Sequence, residues 1–453
     1  MKKTNYLPDV KKHYEDYPYP ERNPNDEKIR LANPMTDCLD RINHYCHSGK
    51  KDFHKGSRIL IAGGGTGDAT LFYAEQLRET DSEIVYIDFS IASIDIAKQR
   101  AKIRGLNNIT WIHDSLLNIP KLELGHFDHI NSTGVLHHLA DPVEGLRAIQ
   151  SVLKPDGAMS LMVYAHYGRT VIYQIQELMR QINKDENNRQ KQIDNCRKVL
   201  ETFPKDHWYY ASNLNKNKIP DIELYDLFLH SQDRPYTIPE LYDWLNSANL
   251  EMIRLFDPDE KAGNALYNPS TYISDPNLLN LVNNLSLERQ QAIAEILNGR
   301  IMKHNFYAAN KLPDQNDLYI LDNTPSLSLV MTQRSYASIH QLVCNSEDKI
   351  VIDIPNTGAS IRFNKTTNME RFFQYFDGQK SLKKIYDQIM MKSRKKNRTN
   401  IKPVNYLSLK DEFNDMFNAM TSHSVMLFRH KSLPLYKNMQ ELQDQMKNIK
   451  SEA

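Results

Sequence analysis

The sequence predicts an α/β protein, a Rossmann-like, doubly wound sheet with a helical insertion, followed by a small α+β domain. Three observations predict it. Across residues 57–164, short apolar runs alternate with helix-like segments, the pattern of parallel strands covered on both faces. A glycine cluster, Gly63-Gly64-Gly65-Thr66-Gly67, stands where the first run ends and a helix opens. From about residue 315 the alternation gives way to short strand signals and an aromatic segment, so a second unit follows. The 453 residues suffice for two or three domains.

In chain order, residues 1–50 read as an N-terminal arm with lid helices, where Tyr14-Glu15-Asp16-Tyr17-Pro18-Tyr19-Pro20 sets proline-flanked aromatics ahead of the sheet. Residues 51–312 read as the main domain, with strands expected at Arg58–Ala62, Glu83–Asp88, Ile109–His113, His126–Asn131 and Ala158–Tyr164. Leu250–Phe256 and His304–Ala309 read as later strands. Ser90 is the expected N-cap of a helix whose Ile94, Ala97 and Ala101 share a face and whose stop is Gly105. Asp141-Pro142 opens another helix, and Lys154-Pro155-Asp156-Gly157 reads as a turn.

An insertion over about 171–249 is helical and charged at first, then aromatic and polar, with Thr237 capping a helix. Residues 315–453 are expected to form the small α+β domain, winged-helix-like in pattern. Its strands are expected at Leu327–Thr332 and Lys349–Ile354, followed by the aromatic stretch Phe372–Gly378 and a helix from Leu382. The run Lys392-Ser393-Arg394-Lys395-Lys396-Asn397-Arg398 reads as a solvated loop.

Composition narrows the function class. Lys and Arg number 57 against 56 Asp and Glu, a net charge of +1, so no basic excess marks a nucleic-acid binder. Cys38, Cys46, Cys196 and Cys344 are scattered without metal-pair spacing, so neither a disulfide framework nor a metal site is expected. No stretch approaches the ~18 apolar residues of a spanning helix, and Met1-Lys2-Lys3 leads into no signal-peptide core. The expectation is a cytoplasmic chain without membrane insertion, with homodimer formation left open.

The glycine cluster carries the most information. Glycines permit positive φ and let a ligand approach the backbone. The second strand ends at Asp88, roughly 20 residues on, where a carboxylate can accept from both hydroxyls of a ribose. A dinucleotide fingerprint would want glycine or alanine where Asp68 stands, and a carboxylate there repels a pyrophosphate at the helix N-terminus. No Gly-Lys-Ser/Thr follows, which excludes a P-loop. An adenosyl ligand without phosphates meets neither objection.

Together with Asp114 and Phe127-Asp128-His129-Ile130-Asn131-Ser132-Thr133-Gly134-Val135-Leu136-His137-His138-Leu139, these residues resemble the class I S-adenosylmethionine-dependent methyltransferases over about 57–164. More narrowly, the Tyr14–Pro20 segment and the Ile61-Ala62-Gly63-Gly64-Gly65-Thr66-Gly67 form of the loop are similar to the rickettsial type of bacterial protein-lysine methyltransferase. Two features depart from the common pattern. The acidic residue often found two before the first glycine is Ile61 here, and Gly64 makes a third consecutive glycine.

The resemblance implies S-adenosylmethionine as cofactor and S-adenosylhomocysteine as product. It places Gly63, Gly65 and Gly67 beneath the methionine part, Asp88 on the ribose diol and Phe89 beside the adenine. Asp114 and Ser115 would meet the adenine amino group, and Asn131 and Ser132 the methionine moiety. His137, just past the fourth strand, is preferred to His138 as a catalytic candidate. Tyr164 follows as a substrate-side candidate, and Tyr17, with Tyr19, as a lid over the cofactor.

The implied reaction is in-line displacement at a sulfonium methyl, which requires aligned reactants and a dry site more than an acid–base pair. A lysine acceptor, unperturbed near ~10.4, must lose its proton through desolvation or a nearby base. Tyrosine rings would then hold the methylated cation, with Tyr17, Tyr19, Tyr164, Tyr167, Trp208, Tyr209 and Tyr210 as the aromatic candidates. The expected acceptor is a protein, through its lysine amine. A small molecule (a quinone, lipid or natural-product intermediate) is the alternative, and a non-catalytic cofactor-binding scaffold is the third reading.

Overall fold

The computed structural model of the chain describes residues 14–212, 219–230, 232–257, 265–314, 319–327, 336–353, 360–396, 404–437, 439 and 441–445. A seven-stranded sheet forms its centre. Its strands are β1 (Arg58–Ala62), β2 (Glu83–Asp88), β3 (Ile109–His113), β4 (Phe127–Thr133), β5 (Leu153–Tyr164), β6 (Glu251–Phe256) and β7 (Lys303–Ala309), in the order β3-β2-β1-β4-β5-β7-β6. The first five pair in parallel, and β7 lies antiparallel between β5 and β6. Sheet growth reverses between β1 and β4, and ligands of such sheets lie outside the carboxyl ends of the strands at that point. Ile59, Leu60, Ile61, Ile84, Val85 and Ile87 are all buried, which is why β1 and β2 read as unbroken apolar runs.

Local chemistry sets the helix ends. The Ser90 side chain accepts the Ser93 N–H to start Ile91–Arg104, and Gly105, at φ 64°, closes it. Asp141 accepts from Val143 and Glu144, with Pro142 at the first helical position. Two strands differ from expectation. Lys154–Gly157 lies inside β5 rather than before it: Phe127 pairs with Leu153 and His129 with Ala158, so β4 holds both flanks and the extra residues bulge outward. β4 also continues past Asn131, because Ser132 and Thr133 still pair with Leu161 and Met162.

Helices Thr170–Ile182, Arg189–Thr202 and Asp221–Phe228 bury Ile172, Ile175, Ile193 and Phe228 in a core of their own. Helix Ile238–Asn246, expected in the same insertion, packs on the sheet instead. Its Ile238, Leu241, Trp244 and Leu245 join Leu60, Ile130 and Phe306, as its helical apolar spacing allows. A capping box between Thr237 and Glu240 fixes its start.

Toward the C-terminus, helices Tyr336–Asn345, Met369–Tyr375, Leu382–Lys396 and Tyr406–Ser422 enclose Phe372, Phe373, Ile385, Phe413 and Phe417. Two antiparallel pairs flank them, Lys349–Asp353 with Ser360–Asn364 and Asn323–Leu327 with Met426–His430. The strand expected at Leu327–Thr332 thus ends where it was to begin, and 328–335 lie outside the described residues. Asn323-Thr324-Pro325-Ser326 offers no apolar run; its strand exists through pairing with Met426–His430. Lys392–Lys396 are the last turns of a helix rather than a loop, because Leu382, Ile385, Tyr386 and Ile389 bury one helical face upstream. Asn397 and Arg398 lie outside the described residues.

This unit leans on helix Leu39–His47, where His44 Nδ1 accepts the Phe428 N–H at 2.9 Å and the Tyr45 hydroxyl donates to the Thr421 carbonyl at 2.7 Å. No described helix is long and apolar enough to cross a membrane.

Candidate active site

A cavity of about 1150 Å³ opens at the carboxyl ends of β1, β2, β4 and β5. The glycine loop forms one side. A Cβ at Gly64 would come within 2.1 Å of Tyr86 Cε2, so the third glycine is required by an aromatic ring beneath the loop. The Tyr86 hydroxyl then donates to the Gly65 carbonyl at 2.7 Å. Gly65, at φ 50°, would carry its Cβ 2.7 Å from the Tyr19 carbonyl oxygen, so the N-terminal arm lies directly on the loop.

The loop amides are all engaged. Gly63 and Gly64 donate to the Ile87 carbonyl at 2.8 and 3.3 Å, Gly65 to Asp88 Oδ2 at 2.8 Å, Thr66 to the Tyr19 carbonyl at 3.4 Å and Gly67 to the Gly64 carbonyl at 3.0 Å. A phosphate cradle needs free N–H groups, and these five are occupied. Asp68 does not act through repulsion, as the sequence suggested: Arg22 at 2.6 Å and Arg100 at 2.8 Å balance its charge. The occupied amides, not Asp68, disfavour a pyrophosphate.

Asp88 accepts from Gly65 on one oxygen and from the Ser90 N–H at 2.8 Å on the other. Burial pushes its carboxyl up, while these backbone donors pull it down. The Phe89 amide is a third backbone donor, and the carboxylate still keeps acceptor capacity for one hydroxyl donor. Across the loop, Asn131 Nδ2 donates to Asp37 Oδ1 at 2.7 Å, bringing a carboxylate from the arm to the cavity wall.

Buried contacts hold the arm. Glu15 caps helix Ile91–Arg104 through the Ile91 N–H at 2.9 Å, and the Thr66 hydroxyl donates to the Pro20 carbonyl at 2.8 Å. Glu27 lies between Arg100 and Arg104, and Arg104 also meets Glu75 at 3.3 Å. Removing one partner of such a buried pair costs roughly 3–5 kcal/mol, so the arm is a fixed wall of the site.

The other side of the cavity is lined by Tyr14, Tyr19, Tyr164, Arg169, Glu223 and Asp226. Burial first, then the charge of Asp226, push the Tyr14 and Tyr164 hydroxyls well above their ordinary value, and push Tyr19 up to about 12. Three protonated phenols therefore line the cavity together with Asp226 of helix Asp221–Phe228. Tyr14 also feels Asp88, so it stands between the two sides. The Tyr164 ring carries the Arg169 guanidinium 3.5 Å from its centroid and the His137 ring at 3.9 Å. Burial pushes His137 and His138 well below the ordinary histidine value, so both are neutral near pH 7. His138 Nδ1 bonds the Gln232 carbonyl at 3.0 Å, which places its proton on Nδ1.

Of the residues singled out in the sequence, Gly63, Gly65, Asp88, Phe89, Ser115, Asn131 and Tyr164 line the cavity. Gly67, Asp114, Ser132, His137 and Tyr17 do not. Gly67 is the left-handed N-cap of helix Asp68–Gln76. Asp114 turns to the Ser115 N–H and the Asn118 amide, both at 2.7 Å. The Ser132 hydroxyl ties β4 to the Ala62 carbonyl at 3.0 Å. Tyr17 stacks on Tyr225 at 5.8 Å with Arg189 5.7 Å from its ring, so the insertion takes it and Tyr14 and Tyr19 take the cavity.

Tyr167, Trp208, Tyr209 and Tyr210 are also absent from the lining; Trp208 is exposed and Tyr209 packs in the insertion's own core. Arg22, Asp37 and Asp226 were not singled out, because no local motif marks them. Among the described residues, no group of three or more His, Cys, Asp or Glu is arranged to hold a metal ion.

Comparison with known proteins agrees with this geometry. Residues 60–159 match a family described as a methyltransferase domain. The chain is 28% identical over 265 residues to an uncharacterized protein of Synechococcus, covering 57% of this chain and 62% of that one. It is 35% identical over 112 residues to the tRNA 5-carboxymethoxyuridine methyltransferase of Escherichia coli, covering 24% of this chain and 41% of that enzyme. The match therefore spans less than two thirds of either relative.

Among solved structures, PKMT2 from Rickettsia typhi gives a TM-score of 0.58 at 13% identity over 88% of this chain and 76% of that one. Its complex with AdoHcy gives 0.54 at 13% identity over 92% and 76%. At that identity the likeness is one of fold. Residues 60–159 thus carry a methyltransferase domain, set in a Rossmann-like sheet. The site fits S-adenosylmethionine, with a buried carboxylate, Asp88, at the end of β2 and a glycine loop without amides to spare for phosphate.

Proposed function

We propose that the chain transfers the methyl group of S-adenosylmethionine to an amine, the side chain of a protein lysine. The observation that carries this reading is that Tyr14, Tyr19, Tyr164 and Asp226 line the same cavity as the glycine loop. The bound cofactor supplies an electrophilic methyl group. The chain's own residues must bring in the amine, strip its proton and keep water out. Asp226 and Glu223 attract an ammonium to the cavity. Burial among tyrosines disfavours the charged form, so the amine gives up its proton to solvent at the cavity mouth as it enters, before attack. The phenol oxygens accept from the amine N–H groups and orient its lone pair, while the fixed arm excludes water. After transfer the nitrogen bears a positive charge again, and Asp226 stabilises it.

Tyr164 contributes its hydroxyl rather than the ring face anticipated from the sequence, since Arg169 already lies against that ring. The fold likeness to PKMT2 and the similarity of the Tyr14–Pro20 segment support the same acceptor class. The test is incubation with methyl-labelled cofactor and cell lysate. Label recovered as methylated lysine after protein hydrolysis is expected. Label in the small-molecule extract would move the acceptor to a quinone, lipid or related metabolite, and cofactor binding without any turnover would leave a scaffold.

A further inference from the structure

We infer that Arg300 and Lys303 form a carboxylate subsite that selects an acceptor lysine accompanied, a few positions away in the same peptide, by an acidic side chain. The inference rests on the protein-lysine reading and adds the sequence context of the acceptor to it. The cavity of about 1150 Å³ exceeds the ~300–1,000 Å³ of a pocket for one small ligand, which leaves room beyond a cofactor and a lysine side chain. That room extends toward the far part of the sheet. The glycine loop follows β1, whereas Arg300 and Lys303 stand at the start of β7, three strands away, or about 14 Å at ~4.8 Å per strand. Because β7 runs antiparallel to β5, its beginning lies at the sheet edge where β5 ends.

Backbone contacts hold both residues. Gly299, at φ 64°, closes helix Leu287–Asn298, and the Arg300 N–H donates to Asn298 Oδ1 at 3.0 Å. The Ala165 N–H donates to the Met302 carbonyl at 3.1 Å, and a Cβ on Gly168 would meet the Ile301 carbonyl oxygen at 2.0 Å, so the chain leaving β5 lies directly on this segment. Lys303 pairs with Tyr164 across the β5–β7 ladder, which sets the two side chains next to each other. Arg300 is exposed and Lys303 half-buried, and among the described residues neither forms an ion pair or a side-chain hydrogen bond. Asp257 lines the cavity as well and balances at most one of the two charges. Two cations beside the entry of a cationic side chain oppose its binding unless the acceptor brings them an anion. A carboxylate one to three positions from the lysine spans the gap, since an extended chain advances ~3.3 Å per residue and β7 lies one strand from Tyr164.

The test uses the full chain, methyl-labelled S-adenosylmethionine and synthetic peptides with one central lysine, in which glutamate or glutamine stands in turn at each of the three positions on either side. At one or more positions the glutamate peptide is expected to show a KM ~5-fold or more below its glutamine counterpart. In the Arg300→Ala/Lys303→Ala double variant that ratio should fall to within about twofold of unity, and Arg300→Glu should turn the preference toward arginine-flanked peptides. A parent that treats glutamate and glutamine peptides alike overturns the inference even if no variant folds. A preference that survives in both variants also overturns it, because other residues then hold the carboxylate. Methylated lysine in lysate protein with none in any peptide would overturn this inference alone, since a subsite next to the lysine acts on short peptides. Methylated lysine in neither would instead overturn the protein-lysine reading on which it rests.

Discussion

The two sides of the cavity are built in different ways. The cofactor side is largely backbone: a glycine loop whose amides are committed within the protein, pinned by Asp88 and laid over Tyr86. The opposite side, where we place the acceptor, is made of side chains from three segments distant in sequence, namely Tyr14 and Tyr19, Tyr164 and Arg169, and Glu223 and Asp226. The first is required by the sheet's own geometry, so the fold and the cofactor come together. The second rests on an arm and an insertion that can change without disturbing a strand pair.

The largest expected effect falls on the scaffold shared by both sides. Burial lowers His44 and His129 to about 3, and both are fully buried. They stay neutral when folded but take protons when unfolded below ~6.5, so the unfolded state gains protons and stability falls as pH drops through that value. Each contributes a loss of ~1.4 kcal/mol per pH unit below it until the folded value is reached. From pH 7.5 to 5 the pair removes about 4 kcal/mol, and for a chain of this length thermal melts should shift down by roughly 4 °C. A flat profile over that range would contradict their burial as neutral groups.

Next comes Asp88→Ala, which leaves the Gly65 and Ser90 amides without this acceptor and removes the carboxylate we propose for the ribose. Affinity for S-adenosylhomocysteine should fall on the order of 100-fold or more by calorimetry. Asp226→Asn probes the opposite side: KM for the acceptor should rise about 10-fold with cofactor affinity within twofold. If both variants changed the same constant, the division of the cavity into two sides would fail. The smallest effect is expected for Tyr17→Ala, whose ring lies on Tyr225 and Arg189 outside the cavity; kcat/KM should stay within about threefold, in line with other surface-lying substitutions.

The same contrast explains what could be read from the chain. β1 and β2 begin and end where the apolar runs do, because a strand covered on both faces leaves a continuous signature, and the half-buried edge strand β3 keeps its expected bounds beside β2. Ser90, Gly105, Asp141 and Thr237 act as caps for reasons local to a few residues. The acceptor side has no such locality. Nothing beside Tyr14, Tyr17 and Tyr19 in sequence distinguishes the two that line the cavity from the one that stacks on the insertion. Asp226 sits inside an ordinary helix, and its role emerges only through three phenols contributed from elsewhere. Gly64 was visible as an oddity, but its cause, the Tyr86 ring on the next strand, is a tertiary contact.

The most direct measurement is a calorimetric titration of the full chain with S-adenosylhomocysteine and, separately, with NADH. Saturable binding of S-adenosylhomocysteine with no heat from NADH is expected from a loop that grips ribose through Asp88 and has no amides for phosphate. Saturable binding of NADH with none of S-adenosylhomocysteine would contradict it.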